Sequence, residues 1–92
     1  MASNERIRVL VADDHAVLRA GLRMLLDAQS DMAVVGEAEN AEQAVTLDAD
    51  LRPDVVLMDL TLPARPGALN TAPSGLEAIR HIKAGPRPGS WP

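Results

Sequence analysis

The chain has 92 residues, enough for one small domain, and 47% of them are apolar, so a hydrophobic core can form. It contains no cysteine, which excludes disulfides and thiolate metal sites, and its net charge of −4 argues against general nucleic-acid binding. No apolar run approaches the ~20 residues of a membrane helix. The N-terminus lacks a signal-peptide pattern, so we expect a cytoplasmic protein without membrane contact.

The first predicted strand–helix unit covers the first third of the chain. Residues 7–12 form a short β-branched run that predicts a strand, and an acidic pair follows it directly. Residues 16–28 carry leucines at helical spacing, which predicts a helix whose free N-terminal amides are capped by Asp14. Gly21 inside this helix costs about 1 kcal/mol relative to alanine, so we expect a close packing contact there. The predicted apolar stripe consists of Leu18, Leu22, Leu25 and Leu26.

A second unit and a third strand follow. Residues 32–38 predict a strand, and the apolar residues from 44 to 51 predict a helix that begins with Asn40 and Gln43 as a capping box. The third strand is a continuous apolar run that ends on Asp59. Such a run is typical of a strand buried on both faces of a parallel sheet.

The remaining third is mostly irregular. Residues 64–73 predict a loop, Ser74 begins a third helix with a capping box, and Gly85 closes that helix. The predicted stripe of this helix consists of Leu76, Ile79 and either Ile82 or Lys83. We therefore predict one domain over residues 1–84, with a long inserted loop, and an unstructured tail rich in proline and glycine over residues 85–92.

Three carboxylates follow the first and third strands. The order β-α-β-α-β-α implies parallel strands, whose carboxyl ends lie on one edge of the sheet. Asp13, Asp14 and Asp59 therefore share one small volume if the first and third strands are neighbours. One pair of carboxylates ~4 Å apart costs about 4 kcal/mol at an effective dielectric constant near 20. Mg2+ relieves such repulsion, because it prefers oxygen ligands from one or two carboxylates, water and phosphate.

Simpler interpretations exist for each of these residues. Asp13 and Asp14 together are common as a turn and a helix cap, and Asp59 before a proline-containing loop is common as a turn residue. The other polar side chains in question are interpreted as solvated surface: His15, His81, Arg19 and Arg23.

Five stretches carry a resemblance to a known family. They are residues 7–15, Gly21-Leu22, residues 34–38, residues 52–60 and residues 75–80. Together they resemble bacterial response-regulator receiver domains of the NarL/FixJ type, which usually precede a helix-turn-helix DNA-binding domain. The resemblance implies a flavodoxin-like, doubly wound parallel sheet, which is incomplete here: β-α-β-α-β-α in strand order 2-1-3.

The resemblance also implies roles for individual residues. Asp59 corresponds to the phosphoacceptor that receives a phosphoryl group from a sensor histidine kinase, and it also belongs to the metal site. Asp14 corresponds to a direct Mg2+ ligand, Asp13 to a ligand through water, and the main-chain carbonyl of Thr61 to a further ligand. The implied protein is not an enzyme beyond weak self-phosphorylation and self-dephosphorylation, and DNA would be bound only through an output domain that these residues do not include.

The departures from the family pattern support an alternative. The family's fourth and fifth strands, with their hydroxyl and lysine residues that bind the phosphoryl group, have no counterpart here, so we interpret the chain as truncated after the third unit. The alternative is a remnant that is not phosphorylated and acts only as an interaction or homodimerisation module, through the exposed third-strand edge or the helices. An aspartate-dependent phosphatase is disfavoured, because such enzymes need an acid at the position of Thr61.

Overall fold

The computed structural model describes residues 6–66 and 74–83 of the chain. The strands are β1 (Ile7–Ala12), β2 (Met32–Ala38) and β3 (Val55–Met58), and the helices are α1 (Ala16–Asp27), α2 (Ala41–Leu51) and α3 (Ser74–Lys83). The strands pair in parallel in the order β2-β1-β3. This confirms the predicted α/β class and the 2-1-3 order, and it places the ends of β1 and β3 side by side.

The core on the α2 and α3 side of the sheet is built from small residues. Its members are Ala12, Ala38, Ala41, Ala44, Leu62 and Ala78. Since alanine adds only a methyl group, the two helices approach the sheet and each other closely. Gly36 of β2 serves the same packing, because a Cβ atom there would lie 2.7 Å from Leu51 Cδ1 on α2.

Helix α1 covers the other side of the sheet, and its predicted apolar stripe is confirmed only in part. Leu22 and Leu26 are partly buried, as is Arg19, whereas Leu18 and Leu25 are half or more exposed. The expected close contact at Gly21 is also wrong, because nothing lies within 4 Å of a Cβ atom built there.

Strand β3 is an edge strand, so the prediction that both of its faces are buried is wrong. Val55 and Leu57 are 42% and 39% exposed. Both belong to the α1 side of the sheet, where Leu57 forms one wall of an open groove with Leu18 and Leu22. Among the residues that the structure describes, no element covers this part of the sheet.

The helix starts differ in how well the sequence predicts them. The cap of α2 is confirmed, since Asn40 Oδ1 accepts a hydrogen bond from the Gln43 N–H (2.8 Å), while Gln43 Oε1 accepts from the Glu39 N–H (2.9 Å). The predicted cap of α1 is wrong. His15, not Asp14, is the N-cap residue, and it makes no side-chain capping bond.

Helix α3 turns its small residues inward. Ala78 is fully buried and Gly75 is buried as well, whereas Leu76 of the predicted stripe is exposed. The Gly85 cap, the tail 85–92 and most of the loop 64–73 lie outside the described residues. In the described ranges, every helix is too short or too polar to cross a membrane.

Candidate metal centre

The backbone of the central strand places two acidic positions at one edge of the sheet. The Asp13 N–H donates to the Ala38 carbonyl oxygen at the end of β2, and the Asp59 N–H donates to the Ala12 carbonyl oxygen, both at 2.9 Å. Because these bonds continue the hydrogen-bonding pattern of the sheet by one residue, Asp13 and Asp59 lie side by side at the carboxyl ends of β1 and β3. One ligand atom from each of Asp13, Asp14, His15 and Asp59 fits within 4.8 Å of the others. The three predicted carboxylates therefore lie together.

Asp13 is the most buried member of the cluster. Asp13 as a whole is only 7% exposed. Its Oδ1 accepts hydrogen bonds from the main-chain N–H and from Nδ1 of His15, each at 2.7 Å. A buried carboxylate keeps its charge only when donors or cations surround it. Asp14 and Asp59 have more exposed side chains, so they are open to solvent and to a ligand.

His15 is a member of this cluster although its side chain is 64% exposed. Its Nδ1 also lies 3.3 Å from Asp14 Oδ1 and 3.7 Å from Asp59 Oδ2. The hydrogen bond to Asp13, followed by the charges of the neighbouring carboxylates, raises the pKa of His15 above its ordinary value. The interpretation of His15 as plain solvated surface is therefore incomplete, since the ring lies against all three acids.

Thr61 donates two hydrogen bonds to the Asp59 side chain. Its main-chain N–H and its hydroxyl donate to Asp59 Oδ1 at 3.0 and 2.9 Å. These two bonds fix the carboxylate plane and leave Oδ2 on the side of His15. The family resemblance implied the main-chain carbonyl of Thr61 as a ligand. The hydroxyl contact was missed, although a Thr two residues after an Asp in a turn could have suggested it.

Helix α3 touches the main chain of the site through Gly75. Its N–H donates to the Leu60 carbonyl oxygen at 3.3 Å. A Cβ atom at Gly75 would lie 2.2 Å from the Asp59 carbonyl oxygen, so only glycine permits this approach.

The start of α2 holds the loop that follows Asp59. The Ala41 N–H donates to the Pro63 carbonyl oxygen (2.8 Å) and the Glu42 N–H to the Ala64 carbonyl oxygen (2.9 Å). The free amides of a helix N-terminus thus find partners in the loop. Leu62, which directly precedes Pro63, is fully buried, so the loop is fixed as far as Ala64.

Arg19 and Arg23 both form ion pairs, which corrects the interpretation as a solvated face for Arg19, whose side chain is 16% exposed, while that of Arg23 is 53% exposed. Arg19 Nη1 donates to the Asp13 carbonyl oxygen at 2.6 Å, and its Nε donates to Glu37 Oε1 at 3.0 Å. Arg23 Nη1 donates to Glu37 Oε2 at 2.5 Å. This pair, with Arg23 contributing most, holds the pKa of Glu37 below its ordinary value. The available signal was one acid in an otherwise apolar strand after a helix with two arginines one turn apart.

The donor set fits a hard divalent cation. Three carboxylates supply oxygen ligands, and the repulsion among them falls when a cation binds. A phosphoryl group, which is also anionic, could approach Asp59 only if that repulsion were offset. The arrangement is thus suited to holding Mg2+ next to a carboxylate nucleophile.

Comparison with known proteins gives a consistent picture. A family model described as the response regulator receiver domain matches residues 9–89. The transcriptional regulatory protein YdfI of Bacillus subtilis is 45% identical over 76 residues, which are 83% of this chain and 32% of that protein. The nitrate/nitrite response regulator NarL of Escherichia coli K12 is 42% identical over 67 residues, which are 73% of this chain and 31% of that protein. The chain spans about a third of the length of these curated relatives.

Solved structures agree. A LuxR-family two-component response regulator from Aurantimonas sp. SI85-9A1 superposes with a TM-score of 0.72 at 40% identity, over 87% of this chain and 51% of that chain. The response regulator domain of Thermotoga maritima CheB superposes with a TM-score of 0.75, also at 40% identity, over 89% of this chain and 56% of that chain.

Proposed function

This chain belongs to the response regulator receiver domain family, and on that premise we propose that Asp59 accepts a phosphoryl group from the phosphohistidine of a sensor kinase. A new P–O bond forms to the Asp59 carboxylate while the P–N bond breaks, and the kinase histidine nitrogen keeps the electron pair. The observation that carries the proposal is the clustering of the Asp13, Asp14 and Asp59 carboxylates, whose ligand atoms lie within 4.8 Å of one another. The role is that of a phosphoacceptor with at most weak self-phosphorylation and self-dephosphorylation.

The proposed metal site uses the same residues. Asp14 and Asp59 would ligate Mg2+ directly, Asp13 through water, and Thr61 through its main-chain carbonyl. Bound Mg2+ supplies positive charge that offsets the negative charge of the transferring phosphoryl oxygens. The chain itself contributes orientation, because the Thr61 N–H and hydroxyl hold Asp59 Oδ1 in place.

Mass spectrometry after incubation with acetyl phosphate and Mg2+ tests this proposal. We expect one added phosphoryl group, located on Asp59 and dependent on Mg2+. The Asp59→Asn variant should not be labelled. The Asp54→Asn variant is the matched control, since Asp54 precedes β3 at its opposite end and accepts from the Arg8 N–H (2.8 Å). Equal labelling of the wild type and Asp59→Asn would contradict the proposal.

The wider setting is also proposed. The similar protein YdfI is a transcriptional regulatory protein, and we propose that this receiver unit serves such a regulator, with DNA contacted only by an output domain. The sensor kinase as partner, the cytoplasmic location, the domain over residues 1–84 and the tail over residues 85–92 stay predictions.

A second candidate function is favoured by the outer edge of β3, which is unpaired among the described residues. This strand is outermost in the order β2-β1-β3, and its Val55 and Leu57 are exposed. An unpaired apolar edge favours pairing with another chain. The unit would then act as a homodimerisation module, whether or not Asp59 is phosphorylated.

A further inference from the structure

Arg19 of α1 is bonded in two directions beneath the acidic site. Its Nη1 donates to the main-chain carbonyl oxygen of Asp13 at 2.6 Å, and its Nε donates to Glu37 Oε1 at 3.0 Å. The side chain is only 16% exposed. Since a guanidinium group is planar and its donors are fixed relative to one another, two bonds of this kind define the orientation of the whole group.

The carbonyl that Arg19 holds belongs to the peptide group between Asp13 and Asp14. A peptide group is planar, so fixing its oxygen also fixes the amide nitrogen of Asp14. On the other side of Asp13, its N–H is held by the Ala38 carbonyl oxygen. The backbone of the acidic pair is therefore fixed before and after Asp13, and the position from which the Asp14 side chain starts is defined.

We propose that Arg19 is a positioning residue for the metal site, acting through the Asp13–Asp14 peptide group. The carboxylates of Asp13, Asp14 and Asp59 repel one another, and a free peptide group could rotate to let them diverge. The hydrogen bond from Arg19 prevents that rotation and keeps the ligands preorganised for a cation. This inference rests on the proposed Mg2+ site.

Electrostatics and positioning predict opposite effects of losing the Arg19 charge. Arg19 is a cation next to an acidic cluster, so its removal would by charge alone strengthen the binding of another cation. Positioning predicts weaker binding, because groups that orient metal ligands typically contribute about 10-fold to 100-fold in metal affinity. The sign of the change therefore separates the two explanations.

Arg19→Lys isolates the hydrogen bond to the carbonyl. The lysine ammonium group retains the positive charge, and the charged carboxylate of Glu37 is its stronger acceptor, so the Asp13 carbonyl loses its partner. Arg8→Lys is the matched control, because Arg8 Nη1 donates to the main-chain carbonyl oxygen of Arg52 (2.9 Å), at the opposite end of β1 from the site.

Amide NMR on the full chain measures both steps. In metal-free Arg19→Lys, the chemical shift of the Asp14 amide nitrogen should differ from that of wild type, because this nitrogen shares a peptide group with the Asp13 carbonyl that Arg19 no longer binds. In a titration with Mg2+ alone, Arg19→Lys should bind about 10-fold more weakly than wild type, whereas Arg8→Lys should bind as wild type does.

Each outcome decides between the two proposals. If wild type shows no Mg2+-dependent shifts at the three aspartates, the proposed metal site is wrong. If wild type binds Mg2+ and Arg19→Lys binds it equally well, the site stands and the positioning role is wrong. Should Arg19→Lys not fold, Arg19→Gln decides instead: weaker binding supports positioning, and equal or tighter binding overturns it.

Discussion

Two helical glycines show how much depends on the surroundings of a single residue. Gly21 and Gly75 both lie within helices, where glycine costs stability relative to alanine. A Cβ atom at Gly21 would meet nothing within 4 Å, but one at Gly75 would collide with the main chain of Asp59 and Leu60. The sequence pattern is similar, whereas the space around each residue is not.

We therefore expect opposite effects of the same substitution. Gly21→Ala should stabilise the protein by about 1 kcal/mol. Gly75→Ala should destabilise it by about 1–3 kcal/mol, because backbone atoms rather than a flexible side chain must move. Urea unfolding of both variants beside wild type measures the difference, and a stabilised Gly75→Ala would contradict the close contact with Asp59.

Glu37 makes a pH-dependent contribution to stability. Its pKa is lowered in the folded state, first by the hydrogen bond from Arg23, so the unfolded state binds more protons around the ordinary value of 4.5. The contribution is then fully present above that value and is lost as the pH falls through the folded-state pKa. The urea midpoint of Glu37→Gln should lie below that of wild type at pH 6, and the difference should shrink as the pH falls below 4.5. A constant difference between them would count against this ion pair.

At the scale of elements, the sequence predicts the six helices and strands of the described residues and the inward face of α2, but not the faces that α1 and β3 turn inward. The strand runs and the Asn40 cap are local signals, and both are confirmed. Helix α1 carries apolar residues around most of its circumference, so periodicity alone does not choose its buried face. The observed face is the one that brings Arg19 and Arg23 to Glu37, and these ion pairs depend on where β2 lies.

The same limit applies to the site. The convergence of Asp13 and Asp59 follows from parallel strands ending at one edge, which the pattern of elements implies. The contacts of His15 and of the Thr61 hydroxyl depend on side-chain directions in turns, which the pattern does not specify. Likewise, the exposure of β3 follows from its place at the edge of the described sheet, although its composition resembles that of an interior strand.

The two helix starts give a prediction at this scale. Asn40 is buried and its side chain caps α2, so Asn40→Ala should destabilise the protein by about 1–2 kcal/mol. Asp14 does not cap α1, so without metal Asp14→Ala should not destabilise the protein, because it removes one of three repelling charges. Thermal unfolding in the presence of a chelator measures both, and a large loss for Asp14→Ala would show that Asp14 supports the helix after all.

For the molecule as a whole, the state of association tests whether the outer edge of β3, which is unpaired among the described residues, binds another chain. If two chains pair along this edge, Val55→Lys should shift light-scattering masses toward the monomer, because a charged side chain at an edge opposes pairing. Val17→Lys is the control, since Val17 is 88% exposed on α1, outside the sheet. A wild-type chain that is monomeric at every concentration would remove the dimerisation hypothesis and leave the phosphoacceptor proposal intact.

Two hydrogen bonds join the start of α2 to the loop after Asp59, and hydrogen exchange at their amides measures how often this loop opens. The amides of Ala41 and Glu42 donate to Pro63 and Ala64 rather than within the helix. Their protons can therefore exchange with deuterium when the loop separates from α2, even if α2 remains helical. The exchange rates of these two amides report how often the loop after Asp59 separates from α2. A cation bound at the site should lower both rates.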